Sequence, residues 1–270
     1  MTWLMLDHPA WDHNAQLSAV RAVRTTAGTW LVTTPATPSA VRLAGSGTAP
    51  IFDAYDPAML RDAALPQGLR SALHQLGPVR RLREASLWDA LATAIIRQVI
   101  RARQARVMHH AFRHAVGDPA GPTRLLPTPE QVLALSEEDF TRLGMAFKRR
   151  PLQAAATAYL AHPEWAQLAP DVLIKELQSV SRIGPWTAAA AVADHTGDFS
   201  FYPHADLAVR TWAVLADPAT DWPADENHFG ARWRDMAGPH LSALTVLILA
   251  WGDHHAHHPA TSDQGSPQHH

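Results

Sequence analysis

The chain has 270 residues, 47% of them hydrophobic and 18% charged, with a net charge of -2. Such a composition excludes a disordered polymer and a strongly basic, indiscriminate nucleic-acid binder, and the length allows one large domain or two modest ones around a buried core. No cysteine is present, which excludes disulfides and cysteine-held iron–sulfur clusters, and no apolar run reaches the ~18 residues of a membrane span, so a soluble cytoplasmic protein is expected.

Residues 1–80 read as a small α+β domain. Leu17 to Val23, Thr29 to Thr34 and Ala40 to Leu43 are short, β-branched or alternating, and separated by Gly, Pro and Thr clusters. That is the pattern of strands, and Thr2 to Leu6 is a further candidate. A small antiparallel β layer is expected, with a mainly α chain after it.

From Asp56 the periodicity turns helical, and residues 81–253 read as a helical domain. Ser86-Leu87-Trp88-Asp89 has the form of a capping box, and Leu87, Ala90, Leu91, Ala94 and Ile95 make one apolar stripe behind it. The stripe ends at Ile96-Arg97-Gln98-Val99-Ile100-Arg101, where Val99 reads, from pattern alone, as a core residue. Arg97, Arg101, Arg103, Arg106 and Arg113 follow one another without an intervening acid, whereas acids gather over Asp217 to Glu226. Only Lys148 and Lys175 are lysines among 23 basic residues. Arginine makes bidentate phosphate contacts, so either a basic face or an ordinary solvated helix face fits this asymmetry.

Thr128-Pro129-Glu130-Gln131 and Ser136-Glu137-Glu138-Asp139 are two further capping boxes, the second opening a short helix that stops at Gly144. Lys148-Arg149-Arg150 follows. Beyond the central motif, Asp225 to Met236 and His240 to Trp251 read as helices, the last apolar nearly all round and so central. A His-rich tail over 254–270 reads as disordered. Its His254, His255, His257 and His258 form no closed coordination set by spacing, and no metal site is expected.

The most informative stretch is Leu177 to Arg210. One helix ends near Val180, Ser181-Arg182-Ile183-Gly184 forms a tight turn, and Pro185 opens a second, alanine-rich helix at a position that tolerates its missing N–H. A turn leading into a helix N-terminus presents backbone N–H groups and the positive end of the helix dipole, which together bind phosphate. Gly184, Trp186 and Thr187 supply N–H groups where Pro185 cannot. After a loop from Thr196 to Ala205, Asp206 precedes Leu207-Ala208-Val209 and Arg210. In isolation an aspartate there reads as a helix N-cap.

Together, Leu177, the turn, Ile183-Gly184-Pro185-Trp186-Thr187-Ala188 and Asp206 followed by an apolar residue and later a basic one resemble the helix-hairpin-helix DNA glycosylases, most of all the 3-methyladenine DNA glycosylase II type. The resemblance implies that fold, with the hairpin motif at about residues 172–196. It implies a monofunctional enzyme of base excision repair that everts an alkylated purine from double-stranded DNA and hydrolyses its N-glycosidic bond. Asp206 would be the catalytic carboxylate, and Trp186 stands where bifunctional relatives carry a Schiff-base lysine. Arg182 replaces the first hairpin glycine and Ser181 the proline before it. Gln98 and Val99 occupy the positions of the pair that fills the gap left by the everted base.

A cationic alkylated purine is drawn to electron-rich rings, and Trp186, Tyr202, Trp212 and Trp251 are the candidate faces. Arg101, Lys148, Arg182, Ile183, Gly184, Trp186 and Thr187 would join Gln98 and Val99 in contacting DNA. No cofactor is implied, a monovalent cation at the hairpin being conceivable, and a monomer is expected. A glycosylase for hypoxanthine, uracil or an oxidised purine, and a non-catalytic DNA-binding protein, are the alternative readings.

Overall fold

The computed structural model describes residues 2–13, 19–34 and 41–257. Strands β1 (Trp3–Leu4), β2 (Asp12–His13), β3 (Ala19–Thr25), β4 (Gly28–Thr34), β5 (Arg42–Gly45) and β6 (Phe52–Tyr55) come first, and helix α1 (Gln67–Leu76) separates them from β7 (Val79–Leu82). Four strands in the order β2-β3-β4-β5 make the expected antiparallel layer. The candidate strands sit where alternation placed them, shifted by a residue or two; Leu17, Ser18 and Ala40 lie outside the described residues.

Beside this layer lies a second sheet, β1-β7-β6, in which β1 runs parallel to β7, Trp3 facing Val79, while β6 is antiparallel to it. β6 and β7 escape sequence reading because each is only four residues long, too short for alternation to declare itself. A boundary at residue 80 would cut β7. It would also divide a core in which Met5, Tyr55, Leu69 and Leu73 pack with residues of the helices. Leu4, Trp11, Ala19, Val23, Val32 and Leu82 form a smaller core of their own between the sheets.

The helical part comprises α2 (Leu87–Arg97), α3 (Ala102–Val116), a two-residue ribbon of β8 (Pro119–Ala120) and β9 (Thr123–Arg124), then α4 (Pro129–Ala134), α5 (Glu137–Arg142), α6 (Ala146–Ala161), α7 (Pro170–Ser179), α8 (Pro185–Thr196), α9 (Leu207–Ala216), α10 (Glu226–Ala237) and α11 (Leu241–His257). The boxes at Thr128 and Ser136 close in both directions. At Ser86 only half of the box forms: the Oγ accepts from the Asp89 N–H at 3.2 Å, while the Asp89 carboxylate turns away to Arg24 at 2.6 Å.

α2 is buried from Leu87 through Ile96 and packs tightly on α8. Alanine at 188, 190, 191 and 193, all buried, lets the two helices approach. Among the described residues no helix is long and apolar enough to cross a membrane. The last helix corrects the expected start of the tail. It continues to His257, with the His255 ring stacked 3.7 Å from Trp251 and His254 edge-on to Trp3 at 4.7 Å. Residues 258–270 lie outside the described residues.

Arginine–carboxylate pairs join the β layers to the helices. Arg21 on β3 meets Glu84, Arg24 on β3 meets Asp89 of α2 at 2.6 Å, Arg81 on β7 meets Asp194 of α8 at 2.6 Å, and Arg113 of α3 meets Asp12 on β2 at 2.6 Å. Arg113 is therefore buried, at 1% exposure, and does not belong to a basic surface. Arg106 likewise turns inward, to the carbonyls of Leu6 and Asp7. Burial works to lower the pKa of Arg81, but the charges of Asp194 and Asp7 outweigh it and raise the group above its ordinary value.

Candidate active site

The hairpin forms as its sterics suggest. α7 ends at Ser179, Ile183 donates its N–H to the Val180 carbonyl at 3.1 Å, and Gly184 caps α8 with Pro185 in the first turn. Arg182, in the place of the family's glycine, takes φ 70°, a left-handed conformation that costs a non-glycine residue about 1 kcal/mol or more. The departure from the family's hairpin thus leaves the turn in place at the cost of strain. Arg182 is exposed, whereas the Ile183 side chain is buried in the core with its N–H already committed. The groups at this corner that could meet a phosphate are therefore the amides of Gly184, Trp186 and Thr187 and the Arg182 side chain.

Thr187 ties the corner to the loop between α2 and α3. Its buried hydroxyl donates to Gln98 Oε1 at 2.8 Å. The next residue, Val99, is 97% exposed and has φ 63°. A β-branched residue in the left-handed region is a genuine conformational outlier, and one whose side chain meets only solvent gains nothing from packing in return. The core placement that pattern favours for Val99 is thus overturned. A polar turn needs no such residue, so the signal in the sequence is the apolar side chain itself.

Lys148 is corrected in the other direction. At 1% exposure it is no surface cation: its ammonium donates to the carbonyls of Ile95 at 2.8 Å and Gln98 at 2.7 Å, satisfying the C-terminal end of α2. Burial draws it down to about 8. Its function is to hold the loop that carries Gln98 and Val99. Arg101 is exposed and starts α3 without a side-chain cap.

Asp206 stands at the N-cap of α9, yet its carboxylate makes no capping hydrogen bond. It accepts instead from the Tyr202 hydroxyl at 3.1 Å and is half-buried. The plain N-cap reading therefore does not account for the side chain. Burial, with the charges of Asp206 and Asp194, raises Tyr202 far above its ordinary value, so this phenol is a permanent donor to the carboxylate. At 2% exposure and stacked on Phe199 at 5.6 Å, Tyr202 offers no free ring face, and the base-stacking role expected for it gives way to one of holding Asp206.

Trp186 is half-buried at the start of α8, and the Arg97 guanidinium lies 5.9 Å from its ring centroid. Burial works to lower the Arg97 pKa but is outweighed, with the Asp194 carboxylate 3.5 Å from Nη1, and Tyr202 lies within electrostatic reach of the same guanidinium. Asp206, Tyr202, Arg97 and Trp186 are thereby linked around one place. Trp212 and Trp251 are not part of it. Trp212 lies on α9 against Gly252 of α11, where even an added Cβ would come within 2.3 Å of its ring, and Trp251 is 9% exposed under His255. Both belong to helix packing. Arg97 and Asp194 are the residues sequence reading missed in these roles; an acid inside an otherwise bulk-free alanine helix was the available sign.

No protein-family profile matches the chain. A putative DNA-3-methyladenine glycosylase, YfjP, of Bacillus subtilis is 23% identical over 146 residues, covering 52% of this chain and 51% of the relative, so the chain matches about half the length of that protein. Among solved structures, the 3-methyladenine DNA-glycosylase of Archaeoglobus fulgidus superposes with a TM-score of 0.69 at 16% identity, covering 90% of this chain and 89% of the other. The 8-oxoguanine glycosylase/lyase of Clostridium acetobutylicum, in complex with double-stranded DNA, gives 0.69 at 13% identity, covering 93% and 90%. With the hairpin, the alanine-lined helix and the acid-bearing loop in the same chain order, this protein has the fold of the helix-hairpin-helix DNA glycosylases.

Proposed function

We propose that the chain is a monofunctional DNA glycosylase of base excision repair, which everts a damaged purine and hydrolyses its N-glycosidic bond. The observation that carries this reading is the Asp206 carboxylate, left out of the helix cap and held by a buried phenol. A carboxylate so placed stabilises the positive charge that develops on the sugar as the base departs, and orients the attacking water. The amides at the start of α8 anchor a phosphate beside it. Val99, exposed and backed by the Thr187 to Gln98 bond, fills the gap in the duplex. Arg101 and Arg182 add charge to the same edge.

Support for hydrolysis without lyase chemistry comes from Trp186, which occupies the place of the relatives' lysine, and from Lys148, whose ammonium is spent on carbonyls. The resemblance and the name of the Bacillus relative point to alkylated purines such as 3-methyladenine. Deaminated or oxidised purines are the second class, favoured by the guanidinium on Trp186. No cofactor takes part in this reading. The test is base release from lesion-bearing duplexes. Asp206→Asn keeps duplex affinity and lowers release by roughly a hundredfold or more. Undiminished release by that variant would refute the assignment.

A further inference from the structure

Arg97 closes α2, and its side chain is 25% exposed. Its partners are few. Nη1 lies 3.5 Å from Asp194 Oδ2, while the other oxygen of that carboxylate is taken by Arg81 at 2.6 Å. Among the described residues no hydrogen bond engages the five N–H donors of the Arg97 guanidinium. The group rests 5.9 Å over the Trp186 ring, with Tyr202, the support of Asp206, in its field.

We infer that Arg97 reads the everted base, selecting neutral purines that present a carbonyl or ring-nitrogen acceptor, such as deaminated or oxidised ones, and rejecting purines made cationic by N-alkylation. The inference rests on the glycosylase reading and names the substrate class of that site. Two physical reasons support it. The Trp186 ring that would attract a cationic base already carries a cation on one side, and a second positive charge close to it is repelled. The unspent donors, partly withdrawn from water, gain by meeting an acceptor and lose by facing a methylated, positively charged edge. Undamaged guanine carries the same acceptors, but its firm pairing makes eversion costly, whereas a poorly paired lesion is extruded more cheaply.

A phosphate flanking the everted nucleotide is the other acceptor within the same chemistry, and the experiment separates the two. Single-turnover release of hypoxanthine and of 7-methylguanine is measured for wild type and for Arg97→Met, which keeps an unbranched chain on Trp186 while Asp194 retains Arg81. Binding to duplexes carrying the 2′-fluoro analogues of both nucleotides, whose glycosidic bonds resist cleavage, is measured in parallel. Wild type is expected to favour the neutral base in both assays. Arg97→Met should shift each ratio toward the cationic base by about tenfold or more. An equal loss on both lesions, with a shallower salt dependence, would identify a phosphate contact and overturn the inference, as would faster release of the cationic base by wild type. If wild type releases no base from any lesion the glycosylase reading fails, and an unchanged 2′-fluoro binding ratio in Arg97→Met then removes the base-reading role separately.

Discussion

Two regions of this molecule use polar and strained residues in opposite ways. Along the seam between the β layers and the helices, charged groups are buried and answered: Arg21, Arg24, Arg81 and Arg113 each meet a carboxylate. At the edge formed by the hairpin and the loop after α2, Val99 and Arg182 are exposed, and both take positive φ. Strain that buys no internal contact persists only where neighbours enforce it, here the Thr187 to Gln98 bond and the Lys148 clamp on α2. The seam is built for stability and registry of the parts, and the edge for presenting groups outward.

The largest expected effect breaks the seam. Asp194→Ala leaves Arg81 buried without its main partner and releases Arg97, and should cost about 3–5 kcal/mol in denaturant unfolding. A loss under 1 kcal/mol would mean that water reaches the seam. Next comes acid. Burial, with Arg21 close to both, holds His8 and His109 well below their ordinary 6.5. Below pH 6.5 the unfolded chain binds their protons first, so each histidine's contribution is intact above 6.5 and declines by about 1.4 kcal/mol per pH unit as pH falls toward its folded value. Asp89, raised by burial and by Glu84, acts in the opposite sense as pH falls from its raised folded value toward the ordinary carboxylate range. The histidine share is therefore read from the difference in slope between wild type and His109→Gln, whose amide can keep the bond to Thr93; equal slopes would contradict it.

The edge is sharpened by removing its strain. Val99→Gly should raise stability by about 1 kcal/mol, the strain relieved exceeding the entropy that glycine adds to the unfolded chain, while base release falls by about tenfold. Lower stability in that variant would show that the φ of 63° is not strained. Smallest of all, Arg182→Gly should gain a few tenths to about 1 kcal/mol and lower the slope of log affinity for duplex against log salt by about one. An unchanged salt slope would place Arg182 off the DNA.

What could be read from the chain alone was local. Gly184 before Pro185, the boxes at Thr128 and Ser136, and the acid ahead of α9 are set by backbone sterics and by bonds spanning three or four residues, so they appear in order along the sequence. The fates of the cations and aromatics were decided elsewhere. Arg113 finds Asp12 across 101 positions, Lys148 finds Ile95 across 53, and Tyr202 becomes a donor to Asp206 because α2, α8 and their neighbours bury it. A charge or a ring carries no mark of which surface will face it. Only the packing of distant segments, which removes water from some groups and leaves Val99 and Arg97 in reach of it, assigns each one to the scaffold or to the site.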